Sequence, residues 1–211
     1  MLPRGETLAE AGGQGQDALV PQGSRRIAVL GGSFDPPHVA HVLAALYVLL
    51  TGDVEEVLVV PVFEHAFGKR LAAFEDRVRL CELAFAGIPC VSISRVEATL
   101  PLPNRTLLTL ERLQAERPDA RFRLVVGSDV LGDAHKWHAF DRVTELAPLL
   151  VVPRAGFGDR VLLPEVSSTE VRELLARRDA GALRDLARLV PKAVLDDALS
   201  RGLYAADVSS P

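Results

Sequence analysis

Ile27-Ala-Val-Leu-Gly-Gly-Ser-Phe-Asp-Pro-Pro-His38-Val-Ala-His41 is the stretch that decides the fold. Ile27 to Leu30 form a short continuous apolar run, the mark of a strand buried on both faces. Gly31 and Gly32 follow, and there the backbone can turn tightly and let a ligand approach closely. Asp35, ahead of Pro36 and Pro37, can brace the loop through side-chain-to-backbone bonds. A helix is predicted over His38–Leu50. His38 and His41 lie on one side of its first turn, beside the open amides and positive dipole end of the helix N-terminus. Two imidazoles in that position make a cradle for anionic oxygens. By itself, His-x-x-His fits a surface histidine pair or half of a zinc site equally well; the Gly-Gly-Ser-Phe-Asp-Pro-Pro loop after a strand favours phosphate. G-x-G-x-x-G is absent, and no Gly-Lys-Ser/Thr follows, so this is neither the dinucleotide fingerprint nor a P-loop.

Outward from this loop the pattern alternates. Strands are predicted at Val57–Val60, Cys90–Ser94, Phe122–Val126, Leu149–Val152 and, shortest, Val161–Leu163. Helices are predicted at Phe74–Ala86, Thr106–Glu116, Lys136–Leu146, Ser168–Arg177 and Lys192–Arg201. Pro61 and Pro153 stop strands, and Pro118 closes a helix. Repeated strand–helix alternation implies an α/β fold, a Rossmann-like doubly wound parallel sheet of five to six strands. Helices should cover both faces, with a small helical part at the C-terminus. Such sheets bind ligands beyond the carboxyl ends of their strands, so the residues just after each strand matter most.

A second anion site is legible at Val166-Ser-Ser-Thr-Glu-Val-Arg172. Ser167 is placed to cap a helix, with Glu170 at the capping-box spacing. Hydroxyls, amides and Arg172 one turn later again suit an anion. Taken singly, this is also what a well-capped surface helix looks like.

Composition narrows the classes. Apolar residues make up 48% and charged residues 25% of 211, so the chain can bury a core and is not disordered throughout. Lys and Arg total 24 against 28 Asp and Glu, a net charge of −4. That balance and 5% aromatics without a stacking pattern disfavour a nucleic-acid partner. No apolar run approaches the roughly 20 residues that span a bilayer, and no signal-peptide core is present. The expectation is a soluble, cytoplasmic protein with no membrane partner. Cys81 and Cys90 are too few for a disulfide scaffold or a cysteine zinc site, and both are expected as small buried groups. Residues 1–25 are Gly/Gln-rich and predicted to be a flexible extension, 26–205 the folded domain and 206–211 a tail.

Gly31 to His41 resembles the H-x-G-H motif of the nucleotidylyltransferase superfamily. More narrowly, it resembles the Gly-Gly-Ser/Thr-Phe-Asp-Pro-x-His-x-Gly-His of bacterial nicotinate-nucleotide adenylyltransferases, with Ala40 where that family usually has glycine. Val166 to Arg172 is similar to the family's Ile-Ser-Ser-Thr-x-x-Arg, and the likeness runs from about Arg26 to about Ala205. The resemblance implies adenylyl transfer from ATP to nicotinate mononucleotide, with Mg²⁺ carried mainly by the ATP phosphates and no dedicated metal site.

It also implies a set of site residues. His38, His41 and Arg172 are the catalytic candidates. Gly31, Gly32, Ser33, Phe34, Gly127, Asp129, Ser168 and Thr169 join them at ATP. Asp129 follows Gly127 and Ser128 after a strand, where it suits ribose hydroxyls or a helix N-cap. Lys69, Thr106, Lys136 and Trp137 are implied at the mononucleotide. Trp137, the only tryptophan, suits either stacking on a pyridine ring or ordinary core packing. His135 and His138 form a second His-x-x-His, and a four-histidine metal site is the weaker reading of the two pairs. Asn104-Arg105 replace the family's Ser-Tyr, and Glu64 to Lys69 replaces its Pro-Pro-His-Lys; both departures bear on the acceptor. Alternatives are a nicotinamide mononucleotide or dual-specificity enzyme, phosphopantetheine as acceptor, and a nucleotide-binding regulatory module without turnover. A homo-oligomer is compatible with the sequence.

Overall fold

A computed structural model describes residues 24–64, 70–128, 137–153 and 163–205. Among them five parallel strands form one sheet: β1 (Arg26–Gly32), β2 (Glu56–Pro61), β3 (Val91–Ile93), β4 (Arg121–Gly127) and β5 (Leu149–Val152), in the order β3-β2-β1-β4-β5. Seven helices accompany them: α1 (Val39–Thr51), α2 (Phe74–Phe85), α3 (Thr106–Glu116), α4 (Phe140–Leu146), α5 (Ser168–Arg177), α6 (Ala180–Leu189) and α7 (Lys192–Ser200). A 3-10 turn, Val96–Thr99, joins β3 to α3.

Strand alternation sorts the core into two layers. Ala28 and Leu30 of β1, with Val57 and Val59 of β2, pack under α1, α2, α5, α6 and α7. Ile27, Val29, Leu58 and Val60 face the other way, under α3 and α4. Both faces are covered, which is why β2 is buried along its whole length. The strand order reverses between β1 and β4, so the crevice beyond their carboxyl ends is the switch point where such sheets bind ligands.

Several expectations change. The helix predicted from Lys136 starts only at Phe140, because Ala139 takes a left-handed conformation (φ 53°, ψ 45°) that a helix cannot continue through. Val161 and Val161's neighbour Leu162 lie outside the described residues; Leu163 makes an isolated bridge, its N–H donating to Pro153 O at 3.4 Å. Helix α6 was not anticipated. Its signals are the cap at Asp179, which accepts from Gly181 N and Ala182 N at 2.9 Å each, and the buried pair Ala182 and Leu186 four residues apart. Cys81 is buried as expected, but Cys90 is exposed, because it turns the chain into β3 at φ 62° rather than standing in the strand.

Candidate active site

The first loop is shaped by Phe34. Its backbone is left-handed (φ 47°), a strained choice for an aromatic residue, and its ring is 1% exposed. The ring folds back over Gly32, where an added Cβ would stand 3.2 Å from it. A side chain there would force the Phe34 ring to give by a few tenths of an ångström. At Gly31 a Cβ would meet nothing within 4 Å, so the backbone at the end of β1 borders open space.

Phe34 also supports the histidines. Its ring centroid lies 4.8 Å from that of His41, and the His38 and His41 centroids are 3.8 Å apart, tilted by 33°. His38 is the N-cap of α1, with extended backbone, and His41 Nδ1 accepts from its N–H at 3.2 Å. That bond aims the opposite edge of the His41 ring away from the helix. His38 is 3% exposed, and His41 is half-buried in front of it. Ala40 is packed into the core cluster, so its methyl stands on the core side of α1.

The second motif closes on the first across more than 130 residues of chain. Ser168 Oγ donates to Pro36 O at 2.9 Å. Arg172 Nη1 donates to Asp35 O at 2.6 Å, and its Nη2 donates to Thr169 Oγ1 at 3.1 Å. Ser167 caps α5 as predicted, accepting from Glu170 N at 3.2 Å. The N-termini of α1 and α5 thus flank one loop, and both positive dipole ends converge there.

Beneath this loop lies a polar layer that sequence reasoning missed. Asp35 braces more than its own turn: its Oδ1 accepts from Ala72 N (3.2 Å) and from the Tyr204 hydroxyl (2.9 Å). Burial, then the Asp35 charge, pushes the Tyr204 phenol above its ordinary range, so it stays a donor. Arg77, 1% exposed, donates to three carbonyls: Ala72 O (2.9 Å), Ser33 O (2.9 Å) and Phe63 O (3.2 Å). Glu97 accepts from Phe63 N (3.0 Å) and Thr109 Oγ1 (2.9 Å), and burial raises its carboxyl above the ordinary value despite those bonds. Asn104 donates to Glu97 O at 3.0 Å. One signal for Arg77 was present: it shares the buried stripe of α2 with Val78, Cys81 and Phe85, an unusual place for a cation. Tyr204 and Glu97 carried no local pattern.

The remaining expected residues are placed as follows. Gly127 ends β4, beside β1 at the switch point. Thr106 opens α3, after the N-cap Arg105. Trp137 is half-buried, edge-on to Phe140 with centroids 6.2 Å apart, and packs against the α3–α4 core layer. His138 is exposed. Lys69, Asp129, His135 and Lys136 lie outside the described residues, so the second histidine pair and three of the implied contacts are not placed. Among the described residues no group of three or more His, Cys, Asp and Glu side chains is arranged to hold a metal ion. No described helix is long and apolar enough to cross a membrane.

A parallel sheet with a glycine-turned histidine loop at its switch point, closed by a capped Ser-Ser-Thr-x-x-Arg helix, defines a nucleotidyltransferase. The chain accordingly matches the cytidylyltransferase-like family over residues 29–174. It is 47% identical to a probable nicotinate-nucleotide adenylyltransferase of Anaeromyxobacter dehalogenans, over 86% of this chain and 98% of that one. It is 42% identical to another of that name from Myxococcus xanthus, over 85% and 94%. The chain belongs to the nicotinate-nucleotide adenylyltransferase family. Its fold is that of the nicotinic acid mononucleotide adenylyltransferase of Plasmodium falciparum, solved in complex with NaAD, with a TM-score of 0.73 at 20% identity, covering 85% of this chain and 97% of that one.

Proposed function

We propose that this enzyme transfers the adenylyl group of ATP to nicotinate mononucleotide. A 5′-phosphate oxygen of the mononucleotide attacks the α-phosphorus in line. The bond from that phosphorus to the α,β-bridging oxygen breaks, pyrophosphate leaves, and the deamido dinucleotide remains. The nucleophile is already an anion, so the protein needs no covalent intermediate; its work is alignment and charge neutralisation. The observation that carries this reading is the closure of Ser168 and Arg172 onto Pro36 and Asp35, which places two helix N-termini and the His38–His41 pair around one loop.

In this reading His41, the more open imidazole, meets the α-phosphate, with His38 behind it and Gly31, Gly32 and Ser33 amides alongside. Phe34 contributes backbone only, since its ring is buried. The amides at the start of α5, the Thr169 hydroxyl and Arg172 take the outer phosphates. Asp129 and Gly127 serve the nucleoside end, and Lys69, Thr106, Lys136 and Trp137 the mononucleotide. A divalent metal such as Mg²⁺ would be held mainly by the ATP phosphates rather than by side chains of this chain, and would supply neutralisation of their charge. The nearby Asp35 carboxylate is already engaged by Ala72 and Tyr204, which fits a metal held by the substrate.

The test is pyrophosphate release from ATP and Mg²⁺ with nicotinate or nicotinamide mononucleotide supplied separately. Faster turnover with nicotinate is expected. Preference for nicotinamide would move the acceptor and point to Asn104-Arg105; ATP binding without release in either arm would return a regulatory module.

A further inference from the structure

Arg77 is a buried cation without a carboxylate on any of its hydrogen bonds. Its partners are three neutral carbonyls on three different segments. Asp35 and Glu97 act on it only through space, and burial pulls its pKa down, although a guanidinium remains charged. A lone charge buried this way is an expensive means of filling a core, where methionine would pack at less desolvation cost. The position of its acceptors supplies another reason. Phe63 is where the chain leaves β2, Ala72 is where it returns to α2, and Ser33 lies in the histidine loop. One guanidinium therefore fastens both ends of the β2–α2 connection to each other and to that loop. Phe63 is held from both sides, its carbonyl by Arg77 and its N–H by Glu97. Ala72 is likewise held twice, its carbonyl by Arg77 and its N–H by Asp35.

We infer that Arg77 is a positioning residue that sets Phe63 and Ala72, the described ends of the β2–α2 connection, against the histidine loop, and so aligns the two substrates, with Glu97 as its counterpart at Phe63 alone. The inference rests on the reaction proposed above for which substrate each segment serves. Lysine does not reproduce this arrangement, because its three donors sit on one nitrogen, whereas Arg77 donates from Nε, Nη1 and Nη2, one to each carbonyl.

The experiment compares Arg77→Lys, Glu97→Gln and Val78→Ala. Val78 is buried on the same turn of α2 and touches no ligand loop by hydrogen bond, so Val78→Ala measures what destabilisation of α2 does by itself. Arg77→Lys is expected to raise KM for ATP and for the mononucleotide and to lower kcat/KM about 10²-fold, as sub-ångström to ångström misplacement does. Glu97→Gln keeps only one acceptor for two donors, and is expected to raise the mononucleotide KM about tenfold with the ATP KM unchanged. Val78→Ala should lower Tm and leave both KM values alone. Calorimetric ATP affinity is measured on all three variants as well. It should weaken in Arg77→Lys and hold in Glu97→Gln, a readout that survives even if the parent releases no pyrophosphate and the reaction itself is misassigned. If Arg77→Lys does not fold, the KM split in Glu97→Gln decides. Kinetic losses that follow Tm across all three variants, or an unchanged KM pair in both Arg77→Lys and Glu97→Gln, would overturn the inference.

Discussion

The two ends of the same sheet treat buried charge in opposite ways. At the amino end, Glu56 of β2 is bound by charges and hydroxyls: Arg117 Nη1 reaches both its oxygens at 3.1 Å, Ser92 Oγ donates at 2.7 Å, and Arg25 stands at 3.5 Å. At the carboxyl end, Arg77 and Glu97 do not bond each other; Arg77 is spent on three loop carbonyls, and Glu97 on the Phe63 N–H and the Thr109 hydroxyl. Paired charges satisfy one another and hold strands. Arg77 and Glu97, with no ion pair between them, hold the main chain beside the candidate site. A cavity of about 580 Å³ opens at the amino end, lined by Arg25, Glu56, Cys90, Ser92 and Arg117 among others. Its volume lies within the range of small-molecule sites. Yet α3 ends there, presenting the negative end of its dipole, whereas α1 and α5 present positive ends at the histidine loop. The helix dipoles favour the carboxyl end as the site for the proposed phosphate chemistry.

The largest effect should come from that end. His41→Ala removes a preorganised donor and is expected to lower turnover about 10²–10³-fold. Far-UV circular dichroism and Tm should stay near the parent's, because His41 is half-buried and outside both core clusters. Near-normal turnover would take the site away from the histidine loop and break the contrast between the two ends.

Much of this site was legible because its parts are local in sequence. The glycine turn, the histidines three apart and the Ser167 cap all depend on neighbours within one turn, and the structure keeps the strand, loop and helix around them. The strand pattern was equally direct, since β1 and β2 are buried on both faces and leave continuous apolar runs, and β4 keeps Phe122 and Leu124 to Val126 buried around Arg123. What escaped depends on contacts between distant segments. Nothing near Tyr204 announces Asp35, and nothing in Val96-Glu97 announces Phe63. Arg77 was detectable only as a cation on an apolar stripe, and its three carbonyls come from parts of the chain that meet only after folding. Cys90 was misjudged because strand-like residues follow it, while its own backbone is left-handed.

Tyr204 gives the next effect in size. Tyr204→Phe keeps the ring and deletes one hydrogen bond to Asp35, a loss of about 1.5–3 kcal/mol for a bond to a charged acceptor. Denaturant titration should register that loss, and turnover should fall a few-fold, since Asp35 also holds Arg172 through its carbonyl. An unchanged Cm would mean that Ala72 N–H and the Arg172 guanidinium, 3.5 Å from its Oδ2, suffice to fix Asp35.

The two glutamates sharpen the comparison through opposite responses to pH. For Glu56, burial pushes the carboxyl up, but Ser92, Arg117 and Arg25 together more than offset it, and its pKa ends below 4.5. Its stabilisation is therefore present above 4.5 and is lost as pH falls through the lower folded value. For Glu97, burial dominates and the pKa ends above 4.5. The folded state then holds a proton that the unfolded state has released, so this contribution is complete below 4.5 and fades as pH rises through the higher folded value. Glu56→Gln should flatten the acid limb of a stability–pH curve, and Glu97→Gln the limb on the other side of 4.5. Both variants flattening the same limb would contradict the opposed environments.

The smallest effect should follow modification of Cys90. Its thiol is exposed in the amino-end cavity, while Cys81 is enclosed and burial pushes its thiol pKa up, which leaves it unreactive. An alkylating reagent should therefore label one thiol in the folded protein and both in denaturant. Because the amino end holds its charges in closed pairs and touches no ligand loop, the labelled enzyme should turn over at the parent rate. Its Tm should move by less than the equivalent of about 0.5 kcal/mol, as for a surface change. A clear fall in turnover on labelling Cys90 alone would show that the sheet transmits strain from one end to the other, and the division of labour between the two ends would have to be given up.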